Sequence, residues 1–278
     1  MGVEYRLNRL FNAQSGRCLN IAVDHGLFGE PSFLAGIEDM PRAIASLIDA
    51  RPDAIQLTPG QAPLLQSVAG REKPALALRT DVANVYGRPR DSYLYNRHFP
   101  DAVEQAVRLD AACVVVNLLD LPGEPEVRER CIAAIMELRV ACARYAMPLM
   151  IEPLVMRNEP RGGGYDVDGD PEKIVALVRQ ARELGADVIK ADPTNPITEF
   201  HRVVQAAGGA PVLVRGGGKV DDDELLRRTD SLLAEGAAGL VYGRNVVQHR
   251  SPASITRALM AMLHEGLPWA GALELAAP

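Results

Sequence analysis

Eight short apolar runs, each followed by a turn signal and then a helical pattern, predict an α/β fold closed into a TIM (β/α)8 barrel. The runs lack polar alternation, as parallel strands covered on both faces do. The chain's 278 residues suit a barrel, which typically takes roughly 250. A doubly wound sheet would share the alternation, but the number of repeats favours the barrel, with one domain over residues 1–278.

The first run is Cys18 to Val23, followed by Ala54 to Leu57, Ala75 to Leu78 and Cys113 to Leu118. Leu149 to Ile151, Val188 to Ile189 with its flanks, Val212 to Val214 and Gly239 to Tyr242 complete the set. Between them, Glu126 to Tyr145, Pro171 to Leu184 and Asp221 to Glu235 repeat apolar residues at three- and four-residue intervals, the spacing of an amphipathic helix. Asp170 fits an N-cap and Pro171 the first helical position. Val82 to Pro100 and Met156 to Asp170 read as long loops after the third and fifth runs, where a barrel builds its active-site mouth.

A hydrophobic fraction of 47% and a mean hydropathy of −0.03 are those of a globular enzyme. No apolar run approaches the roughly 20 residues that span a bilayer. The first eleven residues lack the apolar core of a secretory signal, so the cytoplasm is the expected compartment and no membrane partner is expected. Cys18, Cys113, Cys131 and Cys142 lie in apolar or helical stretches without Cys-x-x-Cys spacing, which suits reduced core thiols. A net charge of −6 argues against a nucleic-acid partner, because phosphate-backbone binding needs clustered positive charge. Pro268-Trp269 in the apolar tail points to a subunit contact, and a homo-oligomer is expected.

Lys190 stands out as a lone cation in the run Ala186-Asp187-Val188-Ile189-Lys190-Ala191-Asp192-Pro193, in a chain whose only other lysines are Lys73, Lys173 and Lys219. Burial lowers an amine's pKa from about 10.4 and makes it a nucleophile toward carbonyls. The plainer alternative is a strand-end lysine paired with Asp192.

In a barrel the residues just after each strand share one face. That face gathers Asp24-His25-Gly26, Thr58-Pro59-Gly60, Arg79-Thr80-Asp81, Asn117, Glu152, Lys190, Arg215-Gly216-Gly217-Gly218 and Gly243-Arg244-Asn245. Glu152, between Ile151 and Pro153, is expected to have its pKa raised by burial and to pass protons, with Asp24 in support. The alternative for each carboxylate is a core ion pair. Gly216, Gly217 and Gly218 can form a backbone nest for phosphate, joined by Gly243 and Arg244, with Arg215 adding charge. His25 could move protons or bind substrate. His98, His201, His249 and His264 show no metal-ligand spacing, so neither metal nor cofactor is expected. Arg79, Arg88, Arg90, Arg157 and Arg161 are candidates for a distal anion.

Asp24-His25-Gly26, Gly185 to Lys190, Val214 to Lys219 and Gly243-Arg244-Asn245, in that order, resemble the strand-end motifs of the class I aldolase branch containing archaeal-type fructose-bisphosphate, tagatose-bisphosphate and sulfofructose-phosphate aldolases. The resemblance covers most of the chain. It implies a Schiff base on Lys190 assisted by Asp24, phosphate held by the loops after the seventh and eighth strands, no metal, and reversible cleavage of a phosphorylated sugar. Archaeal-type fructose-bisphosphate aldolases carry a tyrosine after the fifth strand, where Ile151 to Arg157 here has a leucine. Glu152 instead resembles the acid/base glutamate of the other two groups. Related barrels run transferase chemistry of ulosonate-synthase or thiolase type through the same imine. A non-catalytic phosphosugar-binding barrel is the third alternative.

Overall fold

The computed structural model describes residues 2–70, 72–86, 94–159 and 164–277. In chain order its strands are β1 (Cys18–Ala22), β2 (Ala54–Leu57), β3 (Ala75–Arg79), β4 (Asp81–Ala83), β5 (Asn96–His98), β6 (Cys113–Asp120), β7 (Leu149–Asn158), β8 (Tyr165–Val167), β9 (Val188–Ala191), β10 (Val212–Arg215) and β11 (Gly239–Tyr242). Strands β1, β2, β3, β6, β7, β9, β10 and β11 pair in parallel in that order, and β11 pairs back onto β1. The ring is the expected eight-stranded TIM barrel, surrounded by helices.

Side chains alternate across a strand, so each strand presents one set to the helices and the other to the barrel axis. Leu19, Ile21, Ile55, Leu76, Leu78, Val114, Val116, Ile151, Ile189 and Leu240 face outward into the layer of helices. Each such side chain, fully covered, contributes about 1.5–3 kcal/mol relative to exposure. Cys18, Ala22, Ala54, Ala75, Ala77, Cys113, Val115, Met150, Val188, Leu213 and Val241 fill the axis. The same period of two continues inward with Arg79 after Ala77, Asn117 after Val115, Glu152 after Met150, Lys190 after Val188 and Arg215 after Leu213. Five polar strand ends therefore converge on the axis without any local motif.

The ring closes where β11 meets β1. Gly239 pairs with Cys18 at φ 151°, and a Cβ there would lie 2.1 Å from the Cys18 carbonyl oxygen, so only glycine fits. The helices Pro125–Tyr145, Pro171–Glu183 and Asp222–Ala234 match the predicted stretches within a residue. Asp170 caps its helix by accepting from Glu172 and Lys173 N–H, with Pro171 at the first turn.

Two expectations change. The fifth strand does not end at Ile151 but runs to Asn158, because Leu154-Val155-Met156 remains buried, Leu154 and Val155 pair onward with β6, and Met156 to Asn158 pair antiparallel with β8. The stretch after β3 forms a β4–β5 hairpin rather than only a loop. Trp269 makes its close contact within its own chain, the Arg227 guanidinium lying 3.8 Å above its ring. All four cysteines are buried and free, and their burial pushes the thiols up, Cys113, Cys131 and Cys142 to about 12. No helix among the described residues is long and apolar enough to cross a membrane.

Candidate active site

Lys190 is 4% exposed at the C-terminal end of β9. The register that pairs Ile151 with Ile189 brings Glu152 alongside it one residue later, and Lys190 Nζ lies 2.9 Å from Glu152 Oε2. Burial lowers the amine's pKa more than the Glu152 carboxylate raises it, and Arg79 lowers it further. Asp192, the partner of the plainer alternative, instead receives Arg215 Nε at 2.5 Å.

Glu152 differs from expectation. Burial does push its carboxyl up, but the charges of Lys190 and Arg79, with Arg215 behind them, outweigh it and hold the group at about 2. It is a carboxylate at neutral pH, with Oε2 shared by Lys190 and Arg79 Nη2 and Oε1 accepting no bond among the described residues. Oε1 lies 4.0 Å from Arg215 Nη1.

Arg79, marked by sequence for a distal anion, is 1% exposed and already committed to buried partners. Its guanidinium reaches Asp24 Oδ2 at 2.7 Å, Glu152 Oε2 at 2.5 Å, Asn117 Oδ1 at 3.1 Å and Asp81 Oδ1 at 3.3 Å. Its inward register with Ala75 and Ala77 accounts for this. Asp24 also accepts from Gln56 Nε2 at 2.7 Å, and the Arg79 and Lys190 charges outweigh its burial to hold its carboxyl well below the usual range.

The loop after β10 is clamped by its carbonyls. Arg228 Nη2 donates to Gly216 O at 2.7 Å, Arg244 Nη2 to Gly217 O at 3.1 Å, and Asn245 Nδ2 to Gly216 O and Gly218 O at 3.2 and 3.1 Å. Among the described residues the Gly217 and Gly218 N–H groups donate to nothing, so both are available to an anion. Gly217 takes φ 64° to make the turn. Arg244 lies 4.3 Å over the Phe33 ring. Gly243 leaves room for the His25 ring, whose Cε1 would sit 2.4 Å from a Cβ there. Burial lowers His25 to about 4, so its imidazole is neutral, with Nδ1 buried and without a partner among the described residues.

These groups line one cleft, bordered by Asp24, His25, Arg79, Glu152, Lys190, Arg215, Gly216, Gly217, Gly243 and Arg244. Gly218 stands outside that lining. Phe28, Phe33 and Tyr86 also border it and were not singled out in the sequence, because loop aromatics carry no periodic signal. Arg157 is exposed and paired with Asp166, while Arg88, Arg90 and Arg161 lie outside the described residues. No three His, Cys, Asp or Glu side chains group so as to hold a metal ion among the described residues. The cleft combines a desolvated amine, a carboxylate bonded to it, and an anion-receptive backbone turn. Carbonyl substrates with an anionic tail suit that combination.

The family model for DeoC/LacD family aldolases matches residues 18–249. An uncharacterised aldolase of Saccharolobus solfataricus is 32% identical over 99% of both chains. A 3-hydroxy-5-phosphonooxypentane-2,4-dione thiolase of Yersinia pestis is also 32% identical, over 99% of this chain and 86% of its own. Among solved structures, an archaeal fructose-1,6-bisphosphate aldolase whose catalytic lysine is bound to the carbinolamine of its substrate superposes with a TM-score of 0.76 at 26% identity, covering 94% of this chain and 99% of that one. With the family match spanning most of its length, this chain belongs to the DeoC/LacD family of aldolases, and its activity is that of a carbon–carbon lyase.

Proposed function

We propose that the protein is a class I aldolase that reversibly cleaves a phosphorylated, fructose-bisphosphate-like ketose into a dihydroxyacetone phosphate-type ketone and an aldehyde, through a Schiff base on Lys190. One contact carries the reading: a 4%-exposed lysine on the cleft floor, 2.9 Å from a buried carboxylate. Glu152 takes the surplus proton of Lys190 as the amine attacks the ketone, and returns it to the carbinolamine hydroxyl as that leaves as water. The protonated imine then draws in the electrons of the breaking C3–C4 bond, while Glu152, or a water it holds, takes the C4 hydroxyl proton.

A carboxylate held at about 2 suits that last step for an electrostatic reason. Lys190 is the largest charge holding it down, and that charge disappears as the imine becomes an enamine, so Glu152 gains basicity as the bond breaks. Asp24 keeps Arg79 in place beside Glu152. The substrate phosphate is assigned to Gly216, Gly217, Gly218, Gly243 and Arg244, with Arg215 and His25 at its border.

Borohydride reduction in the presence of phosphorylated ketoses tests this. Lys190 should gain the mass of the ketone fragment, and Lys190→Ala should lose both adduct and triose release. Cleavage retained by Lys190→Ala would refute the imine. The thiolase relative supports a second reading, acyl transfer from a phosphorylated dione to a thiol. It predicts consumption of such a dione that depends on added coenzyme A. A phosphosugar-binding protein would gain heat resistance from its ligand with no adduct.

A further inference from the structure

We propose that Tyr86 is a further catalytic residue, donating a hydrogen bond to the substrate's C4 oxygen as the carbon–carbon bond breaks or forms. This rests on the Schiff-base reading above. Tyr86 follows the β4 strand and is 9% exposed, with its ring edge-on to Phe28 at 5.2 Å and tilted on Phe33 at 5.4 Å. Those contacts lock the ring and leave its hydroxyl at the cleft.

The hydroxyl accepts from Arg215 Nη1 at 2.8 Å. Among the described residues its own proton goes to no acceptor, an unusual state for a buried tyrosine and one that a ligand oxygen would satisfy. Arg215 is itself fixed by Asp192, and its Nη1 also stands 4.0 Å from the free Oε1 of Glu152. A free donor and a free acceptor thus flank one arginine nitrogen at the cleft. That pair is complementary to a hydroxyl turning into a carbonyl: Glu152 receives the proton while Tyr86 holds the oxygen. In the reverse direction the phenol polarises the aldehyde for attack by the enamine.

Charged groups from two strands, β7 and β10, and from the segments after β9 and β11 face the phenol. Arg215 favours its ionisation and Glu152 and Asp192 oppose it, while Arg244 stands near enough to feel it. Burial is the largest influence and pushes the phenol up, so it keeps its proton through neutral pH.

The decisive variant is Tyr86→Phe, which keeps the ring and removes only the hydroxyl. The C4 oxygen belongs to the aldehyde half, so borohydride trapping of the ketone fragment alone on Lys190 should match the unaltered protein within about twofold. Cleavage of the full ketose should fall about 10²-fold in kcat, with little change in KM. Cleavage within threefold of the unaltered protein would overturn the proposal. So would a parallel loss of trapping and cleavage, which marks a structural role. Absence of trapping in the unaltered protein would instead sink the Schiff-base reading, and this proposal with it.

Discussion

Removing the Arg79 guanidinium would leave Asp24, Asp81 and Glu152 buried without their common partner. Uncompensated interior charge is expensive, so Arg79→Met should lose about 3–5 kcal/mol in urea unfolding. Arg79→Lys should recover only part of that, because one ammonium cannot reproduce a planar fork reaching three carboxylates. His25 sets a pH dependence. Its folded value of about 4 lies below the ordinary value of about 6.5, so the unfolded chain binds its proton first on acidification. Its contribution is fully present above about pH 6.5 and is lost as pH falls through about 4, on the order of 3 kcal/mol. His25→Gln should therefore lose less stability than the unaltered protein between pH 7 and pH 4.5, measured by urea midpoints at both.

Among the elements, β11 depends most visibly on one residue. Gly239→Ala would drive a methyl into the Cys18 backbone and should cost at least ~3 kcal/mol, whereas Gly60→Ala, with open space around it, should cost less than ~0.5. Unfolding curves of the pair separate local strain from general glycine loss. The eight strands were legible because each is a short, mostly apolar run ended by a polar residue or a glycine. What could not be read was which alternate set faces inward, since a strand buried on both faces carries no polar mark until its end. That is why the sequence offers Arg79 only as a candidate for a distal anion and does not show that it joins three buried carboxylates. The onward run of β7 was obscured by Pro153, which lacks an N–H yet leaves the pairing of Leu154 with Leu119 intact.

Seen as a whole, the barrel brings together residues from 24 to 244 at one end, and chain order alone recovers that set once strand ends are aligned. Lys190, Glu152, Asp24 and the glycine loop were found this way. Tyr86 was not, because it lies between the two strands of the β4–β5 hairpin rather than at the end of a barrel strand. Glu152's position was legible but its charge was not, because that depends on two cations from other strands. Inorganic phosphate offers a test of the whole mouth. At about 100 times its Kd it should add about 2.7 kcal/mol and raise the melting temperature by several degrees, and Arg244→Ala should abolish most of the gain.

The distribution of sulfur gives this molecule an internal clock for its own opening. Cys18 and Cys113 sit inside the ring, and Cys131 and Cys142 sit on the buried face of the helix Pro125–Tyr145, all as poorly ionised thiols. Iodoacetamide reacts with thiolates, so each site must wait for exposure before it is alkylated. If the helix lifts before the strands separate, the latter pair will be modified first. Equal labelling rates at all four would mean that the cylinder and its outer layer come apart together.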